Sequence, residues 1–274
     1  AYSFEFPPER ITKIISLIFS GIIVCLLFYF FWRSSQLWRQ HIEARILKKE
    51  SIWFSHHPTV KKILFGNVSD SIQCEQMISL SKCMLAFPSL CILTYLTFHG
   101  NSFLHSLNFA IYSLLQSTHT HAFTTFIAII SGLGSWQYLL IATFTIFFLQ
   151  LADRQQHTAL YSLVLFLATC IITHVLKEHI HILRPPLGLQ LKTSFSFPSS
   201  HTSLFICSFG FWLHRFSEEG ILSNGKRLAY LSTTVIMFSR IYLGMHWLTD
   251  VLAGFLLGHI LLSIMMMVYR RLEL

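Results

Sequence analysis

Charged side chains are scarce in this 274-residue sequence. Only 12% of the residues are Asp, Glu, Lys or Arg, whereas 53% are hydrophobic, which is far from the balance of a soluble domain. Glycine and proline are also few, with 12 and 7 residues against 26 phenylalanines, which excludes a collagen-like or disordered chain. No repeat of fixed period is visible. The composition therefore indicates one integral membrane domain.

The six cysteines show no sign of a metal centre or a disulfide framework. They are scattered, mostly within apolar segments, and none forms a C-x-x-C pair, so we interpret them as buried thiols. The formal net charge is +8, but the positive residues surround apolar runs and form no basic face, so nucleic acid is not an expected partner. We interpret the positive charge as a topology signal combined with anion binding.

Several apolar runs approach the length of about 20 residues that a membrane-crossing helix needs. They predict seven spans, near residues 11–32, 83–98, 135–151, 158–176, 202–216, 227–245 and 250–269. The first run is too long for a signal-peptide core. Residues 33–82 are polar with amphipathic patches that suit an interfacial helix. Residues 102–130 are apolar but contain many His, Ser, Thr and Asn residues, which favours a re-entrant or interfacial helix over a span.

Most Lys and Arg residues fall on one side of these spans. This side holds 14 of the 20 in the chain, in residues 33–82, 152–157, 214–227 and 270–274. The positive-inside rule predicts that this side is cytoplasmic. The connection between residues 99 and 134 has no Lys or Arg, which places it outside.

The expected fold class is therefore all-α, a polytopic membrane helix bundle. Residues 1–82 hold one extra N-terminal transmembrane helix and a basic cytoplasmic or interfacial segment, for which an anchor is the plainest role. Residues 83–274 form a six-helix core.

Three polar stretches lie at the outer ends of the core helices. They read KEHIHILRPP after the fourth span, FPSSHTS at the start of the fifth, and SRIYLGMHWLTD between the sixth and seventh. Ionisable residues at membrane depth are costly and by default mark a functional site. We therefore expect these stretches to converge on one site.

Two histidines in these stretches suit phosphoryl chemistry. His246 and Asp250 are four residues apart, so on one helix face the carboxylate can fix the imidazole tautomer and raise its basicity. His201 is a second histidine at a predicted helix start. With two histidines, one can attack phosphorus while the other protonates the leaving oxygen.

Cations and backbone amides in the same stretches suit a phosphate. Lys177, Arg184 and Arg240 supply three positive charges for a tetrahedral oxyanion. A helix that starts after Pro198 offers backbone N–H groups and the positive end of its dipole. Phosphoryl transfer depends mostly on positioning and charge stabilisation, which such a cage provides.

These motifs resemble the three-part signature of the type 2 phosphatidic acid phosphatase superfamily. The matching patterns are K-x6-R-P from Lys177 to Pro185, P-S-x-H from Pro198 to His201, and S-R-x5-H-x3-D from Ser239 to Asp250. The resemblance covers roughly residues 83–270. It implies a metal-independent enzyme that needs no cofactor.

The resemblance also implies a role for each matching residue. His246 is the expected nucleophile, which forms a phosphohistidine, and Asp250 orients it. His201 is the expected general acid, which later activates water. The remaining members are expected to cradle the phosphate: Lys177, Arg184, Ser199, Arg240 and the backbone N–H of Ser200. Ser200 departs from the glycine that the family most often has there, since a serine keeps the N–H but adds a hydroxymethyl group.

The expected function is removal of phosphate from a lipid phosphate or diphosphate at the outer leaflet of a bacterial-type cytoplasmic membrane. Candidate substrates are phosphatidic acid, phosphatidylglycerol phosphate, undecaprenyl diphosphate and lipid A. One alternative is a lipid phosphotransferase of the same superfamily, and another is a non-catalytic scaffold or transporter. The spacing of His119 with His121, and of His179 with His181, would also suit zinc. We interpret these four histidines as hydrated residues at the membrane interface.

Overall fold

The computed structural model describes residues 70–186, 195–218 and 224–272. Within these ranges the chain is all helical, as the sequence predicted, and has no strand. The predicted span at residues 11–32 and the basic segment as far as residue 69 lie outside the described residues. The eight helices are α1 (Asp70–Phe98), α2 (Ser102–Ser117), α3 (His121–Leu133), α4 (Trp136–Ala152), α5 (Gln156–Ile180), α6 (Ser200–Glu218), α7 (Gly225–Tyr242) and α8 (Leu248–Leu272).

Three of these helices are long and apolar enough to cross a membrane. They are α1 from Ser79 to Phe98, α5 over its whole length, and α8 from Leu248 to Tyr269. Helices α3 and α4 pass the same test only as a pair, with a bend of 43° between them. The described residues therefore contain three candidate spans, or four if the bent pair is one span.

Helices α6 and α7 occupy the predicted spans at residues 202–216 and 227–245, but they are less apolar than the others. Helix α6 is buried along most of its length, because α5, α7 and α8 all pack against it. A helix that is surrounded by protein needs no continuous apolar surface toward lipid.

Two glycines bring α8 close to α6. A Cβ atom on Gly254 would lie 2.5 Å from the carbonyl oxygen of Ser199, and one on Gly258 would lie 2.8 Å from that of Ser203. The Ser203 hydroxyl donates to the Gly254 carbonyl at 2.9 Å. Small residues four apart permit such close packing of membrane helices, and here they hold together the two helix starts that carry the second and third motifs.

Residues 102–133 form two helices, whereas the sequence predicted a single re-entrant or interfacial helix over residues 102–130. Helix α2 ends at Ser117 and is capped by Thr118, whose N–H and hydroxyl both donate to the Leu115 carbonyl. Helix α3 then starts at His121 and pairs with α4 across the bend. This segment packs against α7 and α8, so it lies beside the ends of the two helices that flank the third motif.

Candidate active site

The three motifs meet at one end of the bundle. Lys177 lies in the last turn of α5, and Ser199 immediately precedes α6. Arg240 lies in the last turn of α7, and Asp250 lies in the first turn of α8. The turn between α7 and α8 carries His246. The contacts of Lys177 with Phe195, of Arg184 with His246 and of Ser199 with Asp250 bring these segments together, although they lie far apart in sequence.

His246 and Asp250 form a buried pair. The Nδ1 atom of His246 lies 3.3 Å from Oδ2 of Asp250, and the two side chains are 2% and 0% exposed. The same Oδ2 atom accepts the backbone N–H of Trp247 at 2.9 Å, in the manner of a residue that reaches back to cap its own helix. The carboxylate therefore holds the ring with its proton on Nδ1, which leaves the lone pair on Nε2.

Arg184 faces the other ring nitrogen. Its Nη1 atom lies 3.2 Å from Nε2 of His246 and donates to the Met245 carbonyl at 2.7 Å. Its Nη2 atom donates to the Phe195 carbonyl at 3.2 Å. The guanidinium thus joins the first motif to the third, and to the chain just before the second, at the nitrogen that would attack phosphorus.

The surroundings of His246 favour its neutral form. Burial lowers the pKa of the imidazole well below its ordinary value, and the charges of Arg240, Lys177, Arg184 and His201 lower it further. A neutral imidazole keeps its Nε2 lone pair, which a nucleophile requires. Of these groups, Arg184 is in direct contact with the ring.

Lys177 ties the first motif to the chain just before the second. It is buried, and its ammonium group donates to the carbonyls of Phe195 and Ser196, each at 2.9 Å. The Ser196 backbone N–H and hydroxyl in turn donate to the Ile182 carbonyl. These bonds hold the chain before α6 against the chain after α5.

The start of α6 carries Ser199, Ser200 and His201. Ser199 is fully buried, and its N–H donates to the Asp250 carbonyl at 2.9 Å. Its hydroxyl accepts from Thr202 at 3.1 Å. The Ser199 N–H is therefore already occupied, and the N–H groups at the helix start that a ligand could meet begin with Ser200.

Arg240 has a partner that the motifs did not indicate. Its side chain is 4% exposed, and Nη1 donates to the Ser131 hydroxyl at 2.7 Å. The buried Nε and Nη2 atoms have no hydrogen-bond partner within the part of the chain that the structure describes. Ser131 belongs to the SGLGS stretch at the end of α3, which sequence reasoning left without a role.

Helix α2 also supports the site. The Asn108 amide donates to the Thr249 hydroxyl at 3.0 Å and accepts the Thr249 backbone N–H at 3.2 Å. His119 lies with Nε2 2.6 Å from the Tyr242 carbonyl. Polar residues in an apolar segment were the available signal in the sequence, but their partners are more than 100 positions away.

The histidines considered as zinc ligands contact different parts of the protein. His119 contacts the Tyr242 carbonyl, and His179 places Nδ1 2.8 Å from the Val175 carbonyl of its own helix. Across residues 70–186, 195–218 and 224–272, no group of three or more His, Cys, Asp or Glu residues is placed to hold a metal ion.

The fold and the site together define a polytopic helical membrane protein with a buried, cation-rich cluster of side chains around a histidine. Residues 157–273 match the model of the PAP2 superfamily. The matched region contains all three motifs, so the match confirms the resemblance that they indicated.

Two curated relatives each match part of the chain. Phosphatidylglycerophosphatase B from Bacillus subtilis (strain 168) is 36% identical over 114 residues, which cover 39% of this chain and 56% of that protein. Lipid phosphate phosphatase delta from Arabidopsis thaliana is 33% identical over 85 residues, which cover 29% of this chain and 20% of that protein. The chain thus spans less than two thirds of either relative.

Two solved structures share the fold. One is a transmembrane PAP2-type phosphatidylglycerolphosphate phosphatase from Bacillus subtilis, with a TM-score of 0.63 and 28% identity, covering 68% of this chain and 94% of that chain. The other is LpxE from Aquifex aeolicus, with a TM-score of 0.50 and 23% identity, covering 58% of this chain and 94% of that chain. The second likeness concerns the fold alone.

Proposed function

We propose that the protein is a membrane-embedded phosphatase that removes phosphate from a lipid phosphate or diphosphate through a phosphohistidine on His246. The observation that carries the proposal is the environment of this imidazole. Asp250 holds Nδ1, while Nε2 faces Arg184 within a group of three cations. The names of the two curated relatives and of the 28% identical structure support the same class of enzyme.

In the first step the phosphoryl group lies among Lys177, Arg184 and Arg240. These cations neutralise its charge and stabilise the charge that develops on its oxygens. Nε2 of His246 attacks phosphorus and forms the P–N bond as the P–O bond to the lipid breaks. His201 donates a proton to the leaving oxygen, so the lipid departs as an alcohol, or as a monophosphate when the substrate is a diphosphate.

In the second step water takes the phosphoryl group. His201, now deprotonated, accepts a proton from the water as its oxygen attacks phosphorus. The P–N bond breaks, inorganic phosphate leaves, and the lone pair returns to Nε2 of His246. Asp250 stabilises the positive charge on the ring while the P–N bond exists, because its carboxylate accepts the hydrogen bond from Nδ1 throughout.

A lipid substrate suits the position of the site. The pocket lies at the ends of helices whose outer surfaces are apolar, with exposed side chains such as Phe103 and Leu183 near this end. A headgroup can enter the pocket while the acyl or prenyl tails stay in the bilayer. Phosphatidylglycerol phosphate is the first substrate to test because the relatives from Bacillus carry its name, followed by phosphatidic acid, undecaprenyl diphosphate and lipid A.

We place the site on the outer side of a bacterial-type cytoplasmic membrane. The distribution of Lys and Arg supports this orientation, because 14 of the 20 fall at the opposite side of the predicted spans. The proposed chemistry draws its positive charge from side chains and calls for no metal or other cofactor.

The decisive experiment is a phosphate-release panel with the four lipids, using purified protein in detergent, with and without EDTA and orthovanadate. We expect release from at least one lipid, no effect of EDTA, and inhibition by vanadate, which can mimic the five-coordinate phosphoryl state. Release that requires an acceptor lipid would indicate the phosphotransferase instead. Absence of phosphoryl transfer from every lipid would contradict the proposal.

A further inference from the structure

Ser131 lies outside the three motifs but contacts Arg240, one of the three cations in the proposed phosphate site. It lies in the last turn of α3, and its side chain is 2% exposed. Its hydroxyl accepts a hydrogen bond of 2.7 Å from Nη1 of Arg240, across 109 positions of sequence. A short bond between a buried hydroxyl and a cation is among the stronger hydrogen bonds of proteins.

The bond occupies one corner of the guanidinium group and leaves one edge available. Nε and Nη2 of Arg240 are buried and have no hydrogen-bond partner among the residues that the structure describes. These two N–H groups lie side by side on the planar group, and an arginine edge of this kind binds two oxygens of a phosphate at once. A buried donor without a partner is costly, so a ligand for this edge is expected.

The bend between α3 and α4 brings Ser131 to Arg240. A Cβ atom on Gly134 would lie 2.9 Å from the Ile236 side chain, so this glycine permits close approach to α7. Ile236 and Arg240 are four residues apart and therefore share one face of α7. The bend thus contacts α7 at two successive turns, once through Gly134 and once through Ser131.

We propose that Ser131 is a positioning residue for the phosphoryl group. By accepting from Nη1, it fixes the rotation of the guanidinium group and aims the Nε and Nη2 edge at the phosphoryl oxygens beside His246. This inference rests on the proposed function, since it deepens the role of Arg240 in that site.

Loss of the Ser131 hydroxyl should weaken binding of the phosphoryl group without removing the nucleophile. The guanidinium could then rotate, and Nη1 would need a new partner. We expect kcat/KM to fall about 10- to 100-fold, the scale of one hydrogen bond to a charged group, and the inhibition constant of vanadate to rise by a similar factor.

The test compares four variants in purified form. Ser131→Ala removes the hydroxyl, Ser131→Cys nearly keeps the volume with a weak acceptor, and Ser131→Thr restores the hydroxyl. The control is Ser162→Ala, which removes an equally buried hydroxyl from α5 that donates to the Ala159 carbonyl at 2.9 Å. We expect the Ala and Cys variants to show both defects, the Thr variant to recover, and the control to match the unmodified protein.

A double variant separates a positioning role from a merely structural one. Lysine has no Nη1, so in an Arg240→Lys background the Ser131→Ala change should cause little further loss of vanadate binding. Normal kinetics and normal vanadate binding in Ser131→Ala would overturn the inference, and so would a full additive loss in the Arg240→Lys background.

The two proposals fail in different ways. If the unmodified protein releases no phosphate from any lipid, the proposed function fails. Calorimetric titration of orthovanadate into the same variants still tests Ser131, because it measures the oxyanion site without turnover. A folded Ser131→Cys variant with unchanged vanadate affinity would dismiss the positioning role even if the lipid phosphatase assay succeeds.

Discussion

Nη1 of Arg184 lies 3.2 Å from Nε2 of His246, so a guanidinium donor points at the nitrogen that attacks phosphorus in the proposed mechanism. An arginine N–H can bond to this ring nitrogen only when its lone pair is free. The contact therefore agrees with a neutral ring whose Nδ1 proton points at Asp250. A phosphoryl group that enters the pocket can take over the Arg184 bond and meet the lone pair directly.

Removal of the proposed nucleophile should stop turnover in the folded protein. Replacement of His246 by Ala or Gln should lower phosphate release on the order of 10⁴-fold or more, as expected when a covalent nucleophile is lost. The measurement is phosphate release together with acid-labile incorporation of label from a ³²P-lipid. His99→Ala is the matched control, since His99 is exposed and contacts the carbonyl of Tyr95 in its own helix. Unchanged activity in the His246 variants would refute the assigned role.

Neutralisation of Asp250 should be damaging but less complete. The Asp250→Asn change keeps the size of the side chain, but the new amide can present an N–H to the ring and favour the wrong tautomer. We expect a loss of about 10² to 10⁴ in kcat with the protein still folded. Steady-state kinetics beside a thermal unfolding curve in detergent would check this, and a variant as active as the original would contradict the orienting role.

The imidazole of His246 should resist protonation. Burial and the nearby cations lower the pKa of this group well below its ordinary value, so it should stay neutral where exposed histidines titrate. NMR of protein with ¹³C-labelled histidine, with the signal assigned by its loss in His246→Gln, measures this directly. A His246 signal that titrates near pH 6.5 or above would show that the environment does not act as inferred.

The lowered pKa of His246 also makes the stability of the folded protein depend on pH. Folding lowers the pKa of His246, so the unfolded chain binds the proton more readily than the folded chain. The contribution of His246 to stability is therefore present above about pH 6.5, and it is lost as the pH falls toward the pKa that this group has in the folded protein. Thermal unfolding in detergent at pH 7.5 and 5.5 should show a smaller acid destabilisation in His246→Gln than in the unmodified protein.

The two hydrogen bonds between Asn108 and Thr249 should stabilise the start of α8. Asn108→Ala removes both bonds and should lower the free energy of unfolding by about 1 to 2 kcal/mol. Ser113→Ala is the control, since that hydroxyl donates to the Phe109 carbonyl on the exposed face of α2. Equal unfolding temperatures for the two variants would mean that α2 does not brace the site.

The three motifs could be recognised from sequence because the chemistry constrains residue type and local spacing. His246 and Asp250 are one helical turn apart, so their contact follows from the helix itself. The convergence of the motifs could be anticipated from topology, since alternating helices place Lys177, Ser199 and Arg240 on one face. The spacing could not indicate that the Ser199 N–H is taken by the Asp250 carbonyl, because that bond depends on how closely α6 and α8 pack.

By itself the sequence determined the membrane class, the helices and the chemical types in the pocket, because hydropathy and short spacings are local properties of a chain. The tertiary structure decided which polar residues of helices α2 and α3 support the site. Ser131 meets Arg240 and Asn108 meets Thr249 across more than 100 positions. Contacts of that range depend on the bend between α3 and α4 and on the packing of α2 against α8, which no local pattern specifies.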